Sequence, residues 1–200
     1  MRDPATHSVH ADAALFELAR EERESLLDIA GASIDHGLAH GQPLRIDSGE
    51  HSPALRETRA TFVTLRRAGE LRGCVGALEP IRPLVEDVAH SAFAAAFHDR
   101  RFTPLQPDER ADLDIHISIL GPLTPVPARN ERELIERLRP GVHGLVFVDG
   151  PARSTFLPAV WESLPEPERF LAELRLKAGL ARDHWSASVE VLRYEVLELP

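Results

Sequence analysis

The sequence predicts an α+β fold with a central, mostly antiparallel sheet, flanking helices and a smaller lobe. Strand-like segments come in pairs and runs rather than in regular alternation with helices, an order that favours an antiparallel or mixed sheet. Helix-like segments, with apolar residues at three- and four-residue spacing, lie between them. No repeat or low-complexity linker divides the chain, so we expect a loose tail over residues 1–10 and a single domain over residues 11–200.

The first part of the chain is expected to hold one long helix, a loop and a hairpin. Apolar residues recur at helical spacing from Asp12 onward, and Gly37 or Gly41 is a suitable stop. Two prolines and a glycine make residues 42–56 a loop. Two segments rich in β-branched and apolar residues then flank a glycine-containing turn, the pattern of a β-hairpin. The two strands and the turn between them are residues 61–65, 71–78 and 68–70.

The remaining elements follow from the same periodicities. Residues 84–97 predict a helix whose second half is almost wholly alanine and phenylalanine, which indicates deep burial. The clearest strand is residues 113–119, where leucine and isoleucine alternate with polar residues and so give one buried and one polar face. Gly179 is expected to end the last helix. The other elements are a helix, two strands, a helix and a strand, over residues 131–138, 144–148, 153–157, 167–178 and 189–197.

Charge and composition narrow the classes of partner. The formal net charge of −9 opposes binding to the phosphate backbone of a nucleic acid. The uncharged apolar stretches fall far short of the roughly 20 residues that a membrane span requires. Because Arg2 has no apolar region behind it, we expect no secretory signal and a cytoplasmic protein, which we take to be bacterial. A small molecule or another protein is the expected partner.

The most unusual local feature is the segment Arg72-Gly73-Cys74-Val75-Gly76, which contains the only cysteine. Glycines weaken a strand interior unless a ligand or another backbone approaches closely. Strand alternation places Arg72 on the same face as Cys74, and a neighbouring guanidinium favours the thiolate, the reactive form of cysteine. The alternative is a buried cysteine that acts as a small hydrophobic residue beside a bulge.

Four further residues are candidates for chemistry. Asp99 and Arg101 follow the alanine-rich helix and either hold a charged ligand group or form a salt bridge at the helix end. His116 lies on the polar face of its strand and suits an acid or base, but it has no role unless Cys74 or a carboxylate lies beside it. Lys177 is the only lysine. It is present either because the site needs a compact ammonium group whose pKa can be adjusted, or by chance.

Metal and nucleotide sites find little support. His36 and His40 are four residues apart on the first predicted helix, but no glutamate follows His36 in the HExxH manner and no third ligand is recognisable. The chain also lacks the P-loop, GxGxxG and GxSxG motifs. We therefore expect no metal site, and the sequence identifies no cofactor.

Several of these segments, in this order, resemble the AMMECR domain family, also called AmmeMemoRadiSam system protein A. That family is marked by the hexapeptide Leu-Arg-Gly-Cys-Ile-Gly, which residues 71–76 match except for Val75. The resemblance covers about residues 13–199 and departs from the family pattern at Ala159 and Trp161. The further matches lie at residues 62–65, 99–102, 104–105, 117–120, 143–145, 157–158, 170–171 and 177–180, and at Trp185.

The resemblance implies the α+β fold described above and, as partners, a MEMO-type protein and a radical SAM enzyme. It does not imply a reaction, so two hypotheses stay open. The first is an enzyme or enzyme subunit that acts on a small molecule, with Cys74 as nucleophile or redox thiol and Arg72 as its anion-binding neighbour. Lys177 or His116 then serves as acid or base. The residues expected to bind the substrate are Gly73, Gly76, Asp99, Arg101 and His143.

The second hypothesis is a non-catalytic adaptor. The glycine-rich strand then offers its backbone to a partner protein, which adds a strand to the edge of the sheet.

Overall fold

The computed structural model describes residues 17–200, which form five α-helices and eight β-strands. The helices are α1 (Arg20–His40), α2 (Pro53–Arg56), α3 (Leu84–Phe97), α4 (Glu131–Ile135) and α5 (Pro167–Lys177). The strands are β1 (Thr61–Arg67), β2 (Glu70–Gly76), β3 (Leu113–Leu120), β4 (Thr124–Pro125), β5 (Gly144–Asp149), β6 (Ala152–Phe156), β7 (Glu190–Tyr194) and β8 (Val196–Leu199). Three short 3₁₀ helices lie at Ser48–Glu50, Pro107–Asp112 and Pro158–Glu162.

The strands form two four-stranded sheets in which every neighbouring pair is antiparallel. The strand order is β2-β1-β3-β8 in the first sheet and β4-β7-β5-β6 in the second. The predicted α+β fold is therefore confirmed. The second sheet, with α4 and α5, is the smaller lobe. β2 and β6 are edge strands of their sheets, so each has one side that no other strand occupies.

The first sheet presents two different faces, as the alternation in β3 predicts. One face packs against α1 and α3, and its side chains Val63, Leu65 and Ile117 are fully buried. The opposite face carries Thr64 and His116 and is only partly covered. This contrast places the main core on the helical side of the sheet and leaves the polar side available for a site.

The smaller lobe has its own core. Trp161 stacks on Phe170 with ring centroids 3.7 Å apart, and both are buried. Arg175 is also buried there, where its guanidinium donates to Glu131 at 2.7 Å and to the carbonyl of Arg182. A buried charge needs such partners, so this arginine belongs to the structure of the lobe.

Most predicted elements are present, and the differences have physical causes. α3 has the predicted bounds, and Gly41 ends α1 in a left-handed conformation (φ 68°) while its N–H donates to the carbonyl of Gly37. Gly37 is not a stop: it lies inside α1, where a Cβ would meet the ring of Phe97 at 2.4 Å. The predicted helix start at Asp12 and the predicted tail over residues 1–10 lie outside the described residues.

The strands differ from the prediction in two places. The predicted final strand is two strands, β7 and β8, and Glu195 between them passes the chain from the second sheet to the first. β4 has only two residues and gives no period-2 pattern that could predict it. Within residues 17–200, no helix combines the length and the apolar content that a membrane crossing needs.

Candidate functional site

Cys74 lies on the edge strand β2, and its thiol, its backbone N–H and its carbonyl each form a hydrogen bond. It pairs with Thr64 of β1, whose hydroxyl donates to the thiol sulfur at 3.2 Å. Its backbone N–H donates to Asp99 Oδ2 at 2.9 Å, and its carbonyl accepts from Arg101 at 3.3 Å. The backbone groups that an edge strand would offer to an added strand are therefore occupied at this residue.

Asp99 and Arg101 form a two-bond ion pair just beyond the end of α3. The Arg101 guanidinium donates to Asp99 Oδ1 at 3.0 Å and to Oδ2 at 2.7 Å. This contact holds the pKa of Asp99 well below its usual range and raises the pKa of Arg101. The Asp99 carboxylate is nearly buried, whereas 57% of the Arg101 side chain is exposed. The predicted helix-end salt bridge is thus present, and it directly contacts the cysteine backbone.

The two glycines of the hexapeptide make room for the protein's own backbone. A Cβ on Gly73 would lie 2.2 Å from the carbonyl oxygen of Ala95 in α3, and one on Gly76 would lie 2.1 Å from the carbonyl oxygen of Thr61. Of the two explanations that the sequence left open, the close approach of another backbone accounts for both positions. The packing of the protein's own backbone is therefore sufficient to explain both glycines.

Arg72 does not lie beside the thiol as strand alternation predicted. Leu71 pairs with Arg66 and Gly73 pairs with Leu65, so a β-bulge leaves Arg72 without a partner on β1. Its guanidinium instead donates to both carboxylate oxygens of Glu109, at 2.8 and 2.9 Å. This bond lowers the pKa of Glu109 to about 2. The structure thus places Arg72 in an ion pair, and the bulge explains why the alternation rule is wrong here.

Lys177, the last residue of α5, is the member of the smaller lobe that interacts electrostatically with the cysteine. Its ammonium donates to the carbonyl of Thr155 at 2.9 Å and lies 5.1 Å from the centre of the Phe156 ring. Partial burial of the Lys177 ammonium lowers its pKa. The interaction with Cys74 raises the pKa, and the charge of Arg101 lowers it further. The fold therefore brings the single lysine and Arg101 into electrostatic range of the single cysteine. We call Cys74, Thr64, Asp99, Arg101 and Lys177 the Cys74 cluster.

A groove of about 510 Å³ adjoins the cluster at Lys177. Its walls come from the segment after β2, with Leu78 and Ile81, and from the edge strand β6 of the smaller lobe. Arg153 and Glu79 pair across it at 2.8 Å. The groove, which we call the Lys177 groove, therefore separates the edges of the two sheets.

His116 lies on the same face as Cys74 but on the far side of β1. Both residues pair with Thr64, so two strand spacings, or about 10 Å, separate them. His116 lines a cleft of about 710 Å³, together with Thr64, Ser118 and Glu198. The Ser118 hydroxyl donates to Glu198 at 2.7 Å, and partial burial raises the pKa of that carboxyl. His116 thus has a carboxylate for a neighbour but does not reach the thiol. We call this space the Glu198 cleft.

The structure does not bring His143 into the Cys74 cluster. Its side chain is buried, its Nδ1 accepts from the backbone N–H of Arg139, and its carbonyl accepts from the Trp161 indole at 2.7 Å. Burial, reinforced by two nearby arginines, lowers the pKa of His143 to about 4. This neutral, buried imidazole stabilises the segment that leads into β5.

The rings of the two histidines of α1, His36 and His40, contact each other in a tilted arrangement, with ring centroids 4.4 Å apart. Over residues 17–200, no three histidine, cysteine, aspartate or glutamate side chains meet in a group that could hold a metal ion.

Comparison with known proteins identifies the family. The AMMECR1 family profile matches residues 27–199 of this chain. The chain belongs to the AMMECR1 family. This result confirms the resemblance carried by residues 71–76.

Relatives in the AMMECR1 family cover most of the chain. A protein of Methanothermobacter thermautotrophicus is 34% identical over 184 residues, which are 89% of this chain and 93% of that protein. A protein of Thermotoga maritima is 34% identical over 165 residues, which are 82% and 90% of the two chains. The crystal structure of an uncharacterised protein from Pyrococcus horikoshii matches with a TM-score of 0.83 and 30% identity, over 90% of this chain and 92% of that one. The first and third sources are archaea and the second is a bacterium, so a bacterial origin stays a prediction.

Sequence reasoning missed one member of the Cys74 cluster in this AMMECR1-family protein, and it missed the ion-pair partner of Arg72. Thr64 touches the thiol, and Glu109 pairs with Arg72. The hairpin register could have revealed Thr64, because a residue opposite Cys74 on β1 has to share its face. No local signal points to Glu109, because it lies in a 3₁₀ helix remote from β2 in the sequence.

Proposed function

We propose that this AMMECR1-family protein is an enzyme or enzyme subunit that acts on a small molecule at the Cys74 cluster. The observation that carries the proposal is that the only cysteine is enclosed by polar groups: Thr64 donates to its sulfur, and the Asp99–Arg101 pair binds its backbone N–H and carbonyl. Nearby cations favour the thiolate, which is the nucleophilic form of cysteine. Two lobes contribute to the Cys74 cluster, and packing alone does not require it.

The roles follow from the contacts of each residue. Cys74 is the nucleophile, and Thr64 orients its sulfur through the 3.2 Å hydrogen bond. Lys177 is the acid or base, since its lowered pKa brings its ammonium closer to proton exchange at neutral pH. Asp99 positions Arg101 and the cysteine backbone together. Arg72 stabilises the loop that carries Glu109 and is not part of the reaction.

The family suggests the setting of this activity. We propose a cytoplasmic pathway shared with a MEMO-type protein and a radical SAM enzyme, as the AMMECR domain resemblance implies. We also treat residues 11–200 as one domain. The support for a single unit is that the final strands β7 and β8 join both sheets within a few residues.

The proposal is tested by the rate at which iodoacetamide alkylates Cys74 between about pH 5 and about pH 10, with urea-unfolded protein as the reference. We expect the native thiol to react faster than the unfolded one near neutral pH, and the advantage to be lost in Arg101→Gln and Lys177→Met. Arg66→Gln is the matched control, because it removes an exposed arginine from the same sheet face without touching the cluster. Cys74→Ser gives the background rate.

A native thiol that stays unreactive over this range would overturn the nucleophile role. The adaptor hypothesis would then move ahead, because β2 is an edge strand. Strand addition at Cys74 would first have to displace Asp99 and Arg101 from its backbone groups. Gly73→Val cannot test the adaptor, since any Cβ there meets α3. Capture of a MEMO-type protein or a radical SAM enzyme by the wild-type chain, unaffected by Cys74→Ser, would support it.

A further inference from the structure

We propose that the ligand of the Cys74 cluster is a carboxylate with a short apolar tail. Its carboxylate binds between Lys177 and Arg101, and its tail lies in the Lys177 groove. This inference rests on the proposed function and names the substrate class of the same site.

Lys177 is the first reason. Its ammonium donates to one backbone carbonyl, that of Thr155, and forms no ion pair with a carboxylate among residues 17–200. Arg153, its neighbour in the groove, is already paired with Glu79. A lysine ammonium has three donors, so Lys177 retains capacity for an anion. The chain has a net charge of −9. A lysine ammonium that is near the thiol and is not paired with a carboxylate is therefore unusual.

The charge of the cluster selects a monoanion. Lys177 and Arg101 carry two positive charges, and Asp99 carries one negative charge that is bound to Arg101 by two hydrogen bonds. One positive charge therefore remains while the thiol is protonated, and this is the state of the site that binds the ligand. A single carboxylate balances that charge, whereas a phosphate dianion would leave an excess of negative charge beside the sulfur. More than half of the Arg101 side chain is exposed, so its remaining donors are accessible to the ligand.

The apolar tail is inferred from the groove walls. Ile81 is 63% exposed, and Leu78 and Ala77 line the same wall. The Phe156 ring lies directly under the Lys177 ammonium. Isolated exposed isoleucines need no explanation, but this one stands at the rim of a groove of about 510 Å³ that ends at a cation. An amphiphile with its charge at one end matches that arrangement.

The opposite end of the polar face excludes the same ligand. The Glu198 cleft carries Glu162, Glu195 and Glu198, and Arg139 already pairs with Glu195 at 2.6 Å. An anion is repelled there. Of the two ends of this face, the end next to Cys74 is therefore the more favourable one for a carboxylate.

The first test compares two alkylating reagents of nearly equal size, iodoacetate and iodoacetamide. In both reactions the cysteine sulfur forms a bond to the iodine-bearing carbon, and iodide leaves. We measure the ratio of the iodoacetate rate to the iodoacetamide rate for Cys74 in native protein and divide it by the same ratio in urea-unfolded protein. We expect about a tenfold preference for iodoacetate in the native state, the ratio that corresponds to roughly 1.4 kcal/mol. Lys177→Met and Arg101→Gln should abolish it, and Arg66→Gln should keep it.

The second test does not need a reactive thiol. Lys177 is the only lysine, so protein labelled with ¹³Cε-lysine gives one lysine side-chain signal in an NMR spectrum. We titrate hexanoate and, as its uncharged match, hexanamide. Hexanoate should shift this signal to saturation and raise the pKa of Lys177, because a bound anion favours the ammonium. Hexanamide should do neither, and Cys74→Ser should still bind hexanoate.

The outcomes separate the two proposals. Equal responses to hexanoate and hexanamide, or a native reagent preference no greater than in unfolded protein, would overturn the carboxylate site while leaving the nucleophile role intact. An unreactive Cys74 together with saturable hexanoate binding would retain the carboxylate site and overturn the nucleophile. A stronger response to inorganic phosphate than to hexanoate would contradict the choice of a monoanion.

Discussion

Replacing Gly73 by alanine should disrupt the contact between β2 and α3. The new Cβ would lie 2.2 Å from the carbonyl oxygen of Ala95, whereas ordinary contact begins near 3.4 Å. One of the two backbones has to move by about 1 Å, because the obstacle is a helix carbonyl rather than a flexible side chain. The 2.9 Å bond from the Cys74 N–H to Asp99 would lengthen with that shift. From the cost of overpacking a core, we expect a loss of about 3 kcal/mol in unfolding free energy.

The assay is urea unfolding of the variant and of Gly41→Ala. Gly41 has a positive φ of 68° but nothing within 4 Å of an added Cβ, so its substitution carries the conformational cost alone, about 1 kcal/mol. If Gly73→Ala costs no more than Gly41→Ala, the close approach of α3 does not explain the glycine.

Two further predictions concern stability. The Arg72 hydrogen bond lowers the pKa of Glu109 to about 2, so the pair's stabilisation is present above about pH 4.5 and is lost as the pH falls toward 2. At neutral pH, the unfolding free energy of the wild-type protein in urea should exceed that of Glu109→Gln by about 2 kcal/mol. If the same difference persists at pH 2, the ion pair is not its cause. Trp161→Ala should cost about 4 kcal/mol because it removes a ring stacked on Phe170. Trp161→Phe should lower the unfolding free energy by about 2 kcal/mol, chiefly because the carbonyl of His143 loses its hydrogen-bond donor. If Trp161→Ala and Trp161→Phe cost the same, ring stacking and the hydrogen bond do not contribute separately as described.

The sequence predicted the elements whose local pattern and tertiary environment agree. α3 is buried against the sheet, so the same environment accounts for its alanine-rich composition and for its bounds. β3 has one face on the helices and one on the polar side, and its strict alternation records that arrangement. The motif cysteine could also be found, because it stands in a family signature.

Features that depend on distant contacts could not be predicted in the same way. The bulge that moves Arg72 away from the thiol depends on Glu109 and on the carbonyl of Thr103, which come from a loop beyond α3. The approach of Lys177 depends on how the two lobes pack. Trp161, a departure from the family pattern, is a core residue of the smaller lobe. Each of these requires the fold to be known first.

The passage of the final strand from one sheet to the other affects the order in which the molecule can assemble during synthesis. β3 ends at Leu120, and its partner β8 begins at Val196, with all four strands of the smaller lobe between them. A nascent chain that has completed β1 to β3 therefore exposes an unpaired β3 edge until the smaller lobe has been made. Such an edge can pair with another chain, so rapid elongation through residues 121–195 protects the first sheet from aggregation.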